Sequence, residues 1–167
     1  MRDETDGLIE AWQRERPDLD VAPLAVLSRV TRLARHLDRE RRAAFAEHGL
    51  EAYEFDVLTA LRRAGPPYEL TPGRLVRETL VGSGTMTNRL DRLEARGLLE
   101  RRPDPEDGRA RRIRLTDHGR DRADAAIADL LERERRLLAA LSERDRSTLA
   151  ALLRTVLGNF EGSPVDA

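Results

Sequence analysis

The apolar side chains of this chain recur mostly at three- and four-residue steps, which is the spacing of one face of an α-helix. The pattern predicts three helices in the first part of the chain, over residues 1–16, 21–48 and 51–64. It returns after Asp117, where it predicts one long helix that reaches Leu141 and a last helix after Ser142. The chain is therefore expected to be mainly α-helical.

Polar residues at the predicted boundaries suit the start of a helix. Asp20 precedes the long helix, where a carboxylate accepts hydrogen bonds from free backbone N–H groups. Thr71 is followed by Pro72, and proline fits the first position of a helix. Ser142, with Asp145 three residues later, is close to a capping box. These residues support the boundaries that the apolar pattern predicts.

The stretch 75–115 has a different layout. A short apolar-spaced segment leads into a turn at 81–83, and a second helical segment covers 84–96. Two short apolar-edged segments, 98–102 and 111–115, then flank a loop. This order of helix, turn, helix and β-hairpin predicts a winged helix-turn-helix, in which the second helix enters the major groove of DNA.

The second helix of this stretch has two distinct faces. Met86, Leu90 and Leu93 fall within about 60° of one another and are expected to be buried. Another face carries side chains that can donate hydrogen bonds to phosphates or base edges. An N-cap residue is expected just before the first turn of this helix. The residues predicted to contact DNA from here are Ser83, as the N-cap, and Thr85, Thr87, Asn88, Arg92 and Arg96. A surface helix with a solvated charged face is the alternative.

The predicted hairpin loop mixes acids with arginines. Asp104, Glu106 and Asp107 can pair internally, which would leave Arg109 near the tip free to enter a minor groove, where the negative potential is strongest. Arg111, on the strand that follows, is also predicted to contact DNA. The alternative is an ordinary solvated hairpin.

Charge supports a local attraction to DNA. The 167 residues carry a net charge of -1, but the segment from Arg89 to Arg114 has nine arginines and only six acids. Attraction to a polyanion is therefore expected at this segment and not over the whole surface. The terminal helices offer more apolar surface than a small DNA-reading unit needs. We expect a symmetric dimer to bury it, with two recognition helices on one face of DNA.

Composition excludes several other classes of protein. The absence of cysteine excludes disulfides and thiol chemistry. No second ligand lies at metal-ligand spacing from His36 or His48, and metal binding by histidine and carboxylate groups stays an open alternative. The acidic start lacks a signal core, and no apolar run approaches a membrane span, so we expect a soluble, cytoplasmic protein. No arrangement of nucleophile, base and phosphate loop points to an enzyme, and no cofactor is expected.

Four further residues invite an interpretation. Trp12 is the only tryptophan, and packing of an N-terminal arm is its simplest role. Asp56 and Arg63 lie about two turns apart on one side of a helix, which fits a surface polar pair. Arg89 lies about 40° from Leu93, at the border of the buried stripe, so its side chain can point back to the body of the protein.

Several motifs in this region resemble the MarR family of bacterial transcription regulators. They are Gly82-Ser83-Gly84-Thr85-Met86-Thr87-Asn88-Arg89-Leu90, Asp91-Arg92-Leu93-Glu94, Gly97-Leu98, the wing Arg101-Arg102-Pro103 with Asp107-Gly108-Arg109, and Leu115-Thr116 with Gly119. The resemblance implies an α-rich homodimer with a winged helix-turn-helix in each subunit. It also implies binding to a pseudopalindromic operator, usually as a repressor that small aromatic or phenolic ligands release.

A narrower resemblance is to the urate-responsive branch, which has an extra N-terminal helix with a tryptophan. It implies a ligand pocket made of Trp12, Asp56, Arg63 and Arg89. Arginines suit a flat, oxygen-rich anion such as urate or a xanthine-like purine, and an aromatic ring can cover one face of it. Asp56 would hold an arginine while the pocket is empty. A different phenolic or xenobiotic ligand, and a winged-helix interaction protein that has lost DNA binding, are the alternatives.

Together these expectations divide the chain into three parts. Residues 1–48 would form a dimerisation and ligand-pocket arm, residues 51–115 the winged helix-turn-helix, and residues 117–162 the C-terminal dimerisation helices.

Overall fold

The computed structural model describes residues 2–105, 107 and 110–160. Within them the chain forms helices α1 (Glu4–Glu15), α2 (Ala22–Glu47), α3 (Ala52–Arg63), α4 (Pro72–Thr79), α5 (Ser83–Ala95), α6 (Asp117–Leu137) and α7 (Glu143–Leu157). The strands are β1 (Glu69–Leu70), β2 (Leu99–Pro103) and β3 (Arg111–Leu115). The predicted fold class, mainly α with a small β-hairpin wing on a helix-turn-helix, is confirmed. No helix in the described part of the chain has the length and apolar composition needed to span a bilayer.

The chain divides into two compact units, one as far as Leu130 and the other from Leu131 onwards. The first unit holds the core, in which Phe45 of α2 and Phe55 of α3 stack with their ring centroids 4.0 Å apart. Side chains from α3, α4, α5 and the sheet complete this core. In the second unit, α7 buries none of its residues.

The sheet has three antiparallel strands in the order β1-β3-β2, so the hairpin gains one strand that the sequence pattern did not predict. Glu69 and Leu70 of β1 pair with Arg114 and Ile113 of β3. Two residues are too few to show the alternation of a strand, and their partners lie more than forty positions away in sequence.

Most predicted helix starts are confirmed. The Thr71 side chain accepts a hydrogen bond from the backbone N of Arg74, with Pro72 in the first turn, and Ser142 accepts one from Asp145 N. At α2, Val21 occupies the N-cap, while the Asp20 carboxylate accepts from Ala22 N at 3.0 Å. The predicted boundary is thus right, although Asp20 acts from one residue before the cap.

The prediction of one long helix reaching Leu141 is wrong, because α6 ends at Leu137. The following residues form a turn in which Leu141 N donates to Leu138 O at 3.0 Å. Arg146 of α7 explains why this turn is stable, since its Nε donates to the carbonyls of Leu138 and Leu141 at 3.1 and 3.0 Å. A side chain in the next helix therefore satisfies carbonyls that a continued helix would have bonded.

The first turn of α6 lies directly against the strand side of the DNA-reading unit. Gly119 is buried there, and a Cβ atom built on it would lie 1.9 Å from the carbonyl oxygen of Leu98. That carbonyl accepts a hydrogen bond from Thr116 N at 3.3 Å. Only glycine allows this approach of two backbones, which fixes the start of α6 against the residues that follow α5.

Candidate nucleic-acid interface and effector cavity

The buried face of α5 is the one that the sequence predicts. Met86, Leu90 and Leu93 are 1%, 2% and 0% exposed and join the core that α3, α4 and the sheet share. Because these three side chains occupy one stripe, the opposite face of α5 is left in solvent. The orientation of the helix is therefore consistent with a role as a recognition helix.

The N-terminus of α5 differs from the prediction that Ser83 is its N-cap. Gly82 is the N-cap, with an extended backbone, and its carbonyl accepts the first helical hydrogen bond from Met86 N at 3.0 Å. Ser83 becomes the first helical residue, and Gly82 offers no side-chain cap. The helix therefore begins with uncapped N–H groups beside the exposed Ser83 hydroxyl, an arrangement that suits a phosphate.

Three predicted DNA-contacting side chains on α5 are exposed and without a side-chain partner in the part of the chain that the structure describes. They are Thr85, Asn88 and Arg92. Thr87 is also exposed, but its hydroxyl donates to the carbonyl of Ser83 at 3.2 Å. The outward face of α5 therefore presents a hydroxyl, an amide and a guanidinium that are free to contact a partner.

Arg96 has a different environment from its predicted role. It is the C-cap residue of α5, and its guanidinium forms an ion pair with Glu54 of α3. Its Nη2 donates to the carbonyl of Gly49 at 2.7 Å. These contacts turn the side chain inward along the body of the unit, which favours a structural role over a DNA contact.

Of the three acids predicted to pair within the wing loop, Asp104 forms an ion pair with a wing arginine, and Glu106 lies outside the described residues. Arg101 of β2 binds Glu94 and, at 2.5 Å, Asp91, both on α5, while Arg112 of β3 binds the buried Asp104 at 2.8 Å. Arg111 is exposed, and no ion pair to it is seen within the described ranges. Arg109, the predicted tip contact, lies outside the described residues.

Two predicted ligand residues line one cavity. Asp56 and Arg63 of α3, together with Thr59, face Glu78, Thr79 and Leu80 at the end of α4 across about 210 Å³. The cavity is smaller than the pockets that hold drug-sized molecules, which suits a small ligand. It lies between the helix that precedes the helix-turn-helix and that motif's first helix.

Glu78 is a member of this cavity that the sequence interpretation missed. Its carboxylate lies 3.6 Å from Arg63 and 2.9 Å from Arg74, while Asp56 forms no ion pair with the residues described. The expectation that Asp56 holds an arginine in the empty pocket therefore does not match the structure, where Glu78 holds Arg63. The four-residue spacing of Arg74 and Glu78 was the available signal, but it indicates only a surface helix pair.

The other two predicted ligand residues lie elsewhere. Arg89 points from α5 to α3, with its guanidinium carbon 5.1 Å from the centroid of the Tyr53 ring. Trp12 is 44% exposed on α1, the helix that the Arg29 guanidinium of α2 holds through Asp3 and Asp6. Neither Arg89 nor Trp12 is among the residues that line the cavity of Asp56 and Arg63.

Leu80 closes the edge of the same cavity in an unusual conformation. It is the C-cap of α4, with φ 53° and ψ 41°, and its side chain is 91% exposed. A left-handed backbone costs a leucine roughly 1–2 kcal/mol. Leu80 therefore stands at the rim of the cavity with most of its surface in solvent.

Comparisons with known proteins agree with this geometry. A model of the MarR family matches residues 48–110, which cover α3, β1, α4, α5 and β2. The chain is 39% identical over 136 residues to the HTH-type transcriptional regulator PecS of Dickeya dadantii, an alignment that covers 81% of this chain and 82% of PecS. It is 33% identical over 113 residues to the HTH-type transcriptional repressor NicR of Pseudomonas putida, covering 65% of this chain and 70% of NicR.

Solved structures show the same fold. A MarR variant from E. coli in complex with operator DNA is 28% identical and superposes with a TM-score of 0.66 over 83% of this chain and 99% of that chain. A MarR family protein from Bacillus stearothermophilus is 23% identical, with a TM-score of 0.72 over 86% of this chain and 99% of that chain. The second likeness is one of fold alone.

Proposed function

Because the chain belongs to the MarR family and is a DNA-binding transcriptional regulator, we propose that it is a homodimeric repressor that a small anion releases from its operator. The operator is a pseudopalindromic DNA duplex, in which each subunit inserts α5 into the major groove. The effector is an aromatic or purine anion of the urate or xanthine type.

One observation carries the DNA-binding part of the proposal. The apolar stripe of α5 is fully buried, while Thr85, Asn88 and Arg92 stand on its outer face without partners among the described residues. Arg96 and Arg101, in contrast, form ion pairs with acids of the same unit. Donors with a purely structural role are expected to be paired in this way. Donors left in solvent on the exposed face of this helix suit base edges and phosphates.

The remaining DNA contacts come from the start of α5 and from the wing. Ser83 and Thr87 lie beside the uncapped first turn of α5, where a phosphate fits. Arg111 stands exposed on β3, and we assign a minor-groove contact to Arg109 from its sequence position near the wing tip. The inner wing arginines stabilise the hairpin by their ion pairs, so they are left out of the DNA interface.

Exposed apolar side chains on the terminal helices support the dimer. On α2, Val26, Leu27, Val30 and Leu33 are 40–59% exposed, and on α7 the leucines, Val156 and the following Phe160 are 36–70% exposed. Such stripes are unusual on the surface of a monomer and mark a protein interface. We therefore keep residues 1–48 and 117–162 as dimerisation regions around the DNA-binding region 51–115.

The effector site rests on the cavity between α3 and α4. Arg63, which lies 3.6 Å from the Glu78 carboxylate, supplies the cation that a purine or aromatic carboxylate anion needs, and Leu80 stands at the rim. Asp56 lies on the same wall as Arg63 and discriminates against ligands with further negative charge. Arg89 links the neighbouring face of α3 to α5. Trp12 does not line this cavity, and its membership of the effector site remains a prediction from the family resemblance.

The experiment is a competition on a preformed protein–DNA complex. Fluorescence anisotropy with a duplex from the intergenic DNA beside the gene should show saturable, salt-sensitive binding, and urate or xanthine should release it. Salicylate serves as the phenolic comparison. If salicylate releases the DNA and the purines do not, the effector is phenolic and the purine proposal is wrong. If the protein binds the intergenic duplex no more tightly than a scrambled duplex, there is no operator at this locus.

A further inference from the structure

A buried carboxylate at the start of α3 has no place in the DNA contacts or in the effector cavity. Glu54 is 1% exposed, and its Oε2 accepts a hydrogen bond from Glu51 N at 2.9 Å. The same oxygen forms the ion pair with Arg96 at the end of α5. Because a buried charge is costly without a partner, the pairing makes the position of Arg96 strongly preferred.

The second half of the Arg96 guanidinium is bound to Gly49, the residue that follows the C-cap of α2. Its Nη2 donates to the carbonyl of Gly49, while Arg122 of α6 donates to the preceding carbonyl, that of His48, at 2.7 Å. The C-terminal carbonyls of a helix carry partial negative charge and lack helical partners, so they suit arginine donors. The end of α2 is thus held by arginines from α5 and from α6.

These contacts are directional, as are the ion pairs that Asp91 and Glu94 of α5 form with Arg101 of β2, but they connect α5 to the residues that follow α2 and to α3. The apolar stripe of α5 determines which face of the helix is buried, but apolar contacts tolerate small shifts that a hydrogen-bonded ion pair does not. Arg96 stands at the C-cap, next to Gly97 with φ 67°, and bonds two groups whose positions are fixed by α2 and α3. The angle of α5 therefore depends on this junction.

We propose that Glu54, Arg96 and the Gly49 carbonyl form a joint that sets the orientation of the recognition helix relative to α2 and α3. Arg96 is then a positioning residue and not a phosphate contact. The inference goes beyond the DNA contacts proposed above. It links α5 to α2, whose other half carries the exposed apolar stripe, so a displacement of α2 reaches the recognition helix through Arg96.

The test compares two arginines that lie four residues apart on one helix. The probes are a duplex selected by the parent protein from a random-sequence pool and an unselected duplex of equal length, both titrated over a range of salt. Arg92→Ala is the reference for a direct contact. It should lower the affinity for both duplexes and reduce the slope of log affinity against log salt concentration by about one.

The joint predicts a different signature for its own variants. Glu54→Gln and Arg96→Ala should each lower the affinity for the selected duplex about tenfold, as expected for a disrupted coupling contact. The salt slope and the affinity for the unselected duplex should not change. The double variant should be no weaker than the single ones, because both remove the same junction. Glu54→Gln keeps an acceptor for Glu51 N, so it retains the local cap.

A phosphate contact by Arg96 predicts the opposite outcome. Arg96→Ala would then lower the salt slope as Arg92→Ala does, and Glu54→Gln would free the guanidinium and leave affinity unchanged or higher. Either result overturns the joint. Thermal melting followed by circular dichroism identifies variants that fail to fold. If Arg96→Ala does not fold, the Glu54→Gln variant decides between the two models, because the joint predicts lower affinity for the selected duplex and the phosphate contact predicts unchanged or higher affinity.

Discussion

Replacing Gly119 by alanine should destabilise the first unit of the chain sharply. The added Cβ would lie 1.9 Å from the Leu98 carbonyl oxygen, where separations below 3.0 Å are essentially never found, and 3.0 Å from Leu115 Cδ1. The start of α6 and the Leu98 backbone would therefore have to separate by about 1.1 Å. Both groups belong to backbone in regular contacts, so neither can rotate away.

The expected loss follows from three contributions. Overpacking of a filled site costs about 1–3 kcal/mol. The hydrogen bond from Thr116 N to Leu98 O is stretched or lost, at about 1 kcal/mol. The better helix propensity of alanine offsets up to about 1 kcal/mol. A net loss near 2–3 kcal/mol corresponds to a fall in Tm of about 4–12 °C for a chain of this size.

The assay is urea and thermal unfolding followed by circular dichroism, at one protein concentration because the protein is proposed to be a dimer. Gly84→Ala is the matched control, since a Cβ on this glycine in α5 meets nothing within 4 Å. Its stability should equal the parent's or exceed it by about 1 kcal/mol at most. An unfolding midpoint of Gly119→Ala that matches the parent would refute the close approach of α6 to Leu98.

Three further predictions concern the dimer and the effector. Light scattering at micromolar concentration should give the mass of a dimer, and a monomer with intact helicity would contradict the proposed role of the apolar stripes. Urate should quench the fluorescence of Trp12 saturably after correction for purine absorption, whereas a flat signal with no heat in calorimetry removes Trp12 from the site. Arg89→Ala should reduce effector-driven release of DNA more than DNA affinity, because coupling of about 1–3 kcal/mol is expected to pass between α3 and α5. Loss of DNA binding with unchanged effector affinity would make Arg89 a DNA contact.

The local pattern of the sequence predicts the helices well because each depends on residues close in the chain. The buried stripe of α5 and the cap at Thr71 were both readable from spacing and residue type. The cap of α5 was misplaced by one residue, because serine is the better capping side chain but the backbone of Gly82 takes the cap conformation. Choices between adjacent residues depend on packing, which spacing does not show.

The pattern of apolar and polar residues does not predict contacts between segments that are distant in the sequence. The sequence indicates that Arg96 stands on the same face as Arg92, but not that a buried Glu54, forty-two positions earlier, holds it. The partner of Arg63 is likewise Glu78 on another helix and not Asp56 on its own. In both cases an ion pair between elements gives the residue a partner that its helix face did not indicate.

The exposed donor face of α5 is the central claim, and binding of the selected duplex by three variants tests it most directly. At fixed salt, Asn88→Ala, Arg92→Ala and Arg109→Ala should each weaken binding by about 1–3 kcal/mol, while Arg14→Ala, an exposed arginine on α1, should bind as the parent does. If all three bind like the parent under the same conditions, α5 and the wing do not read DNA in the way proposed.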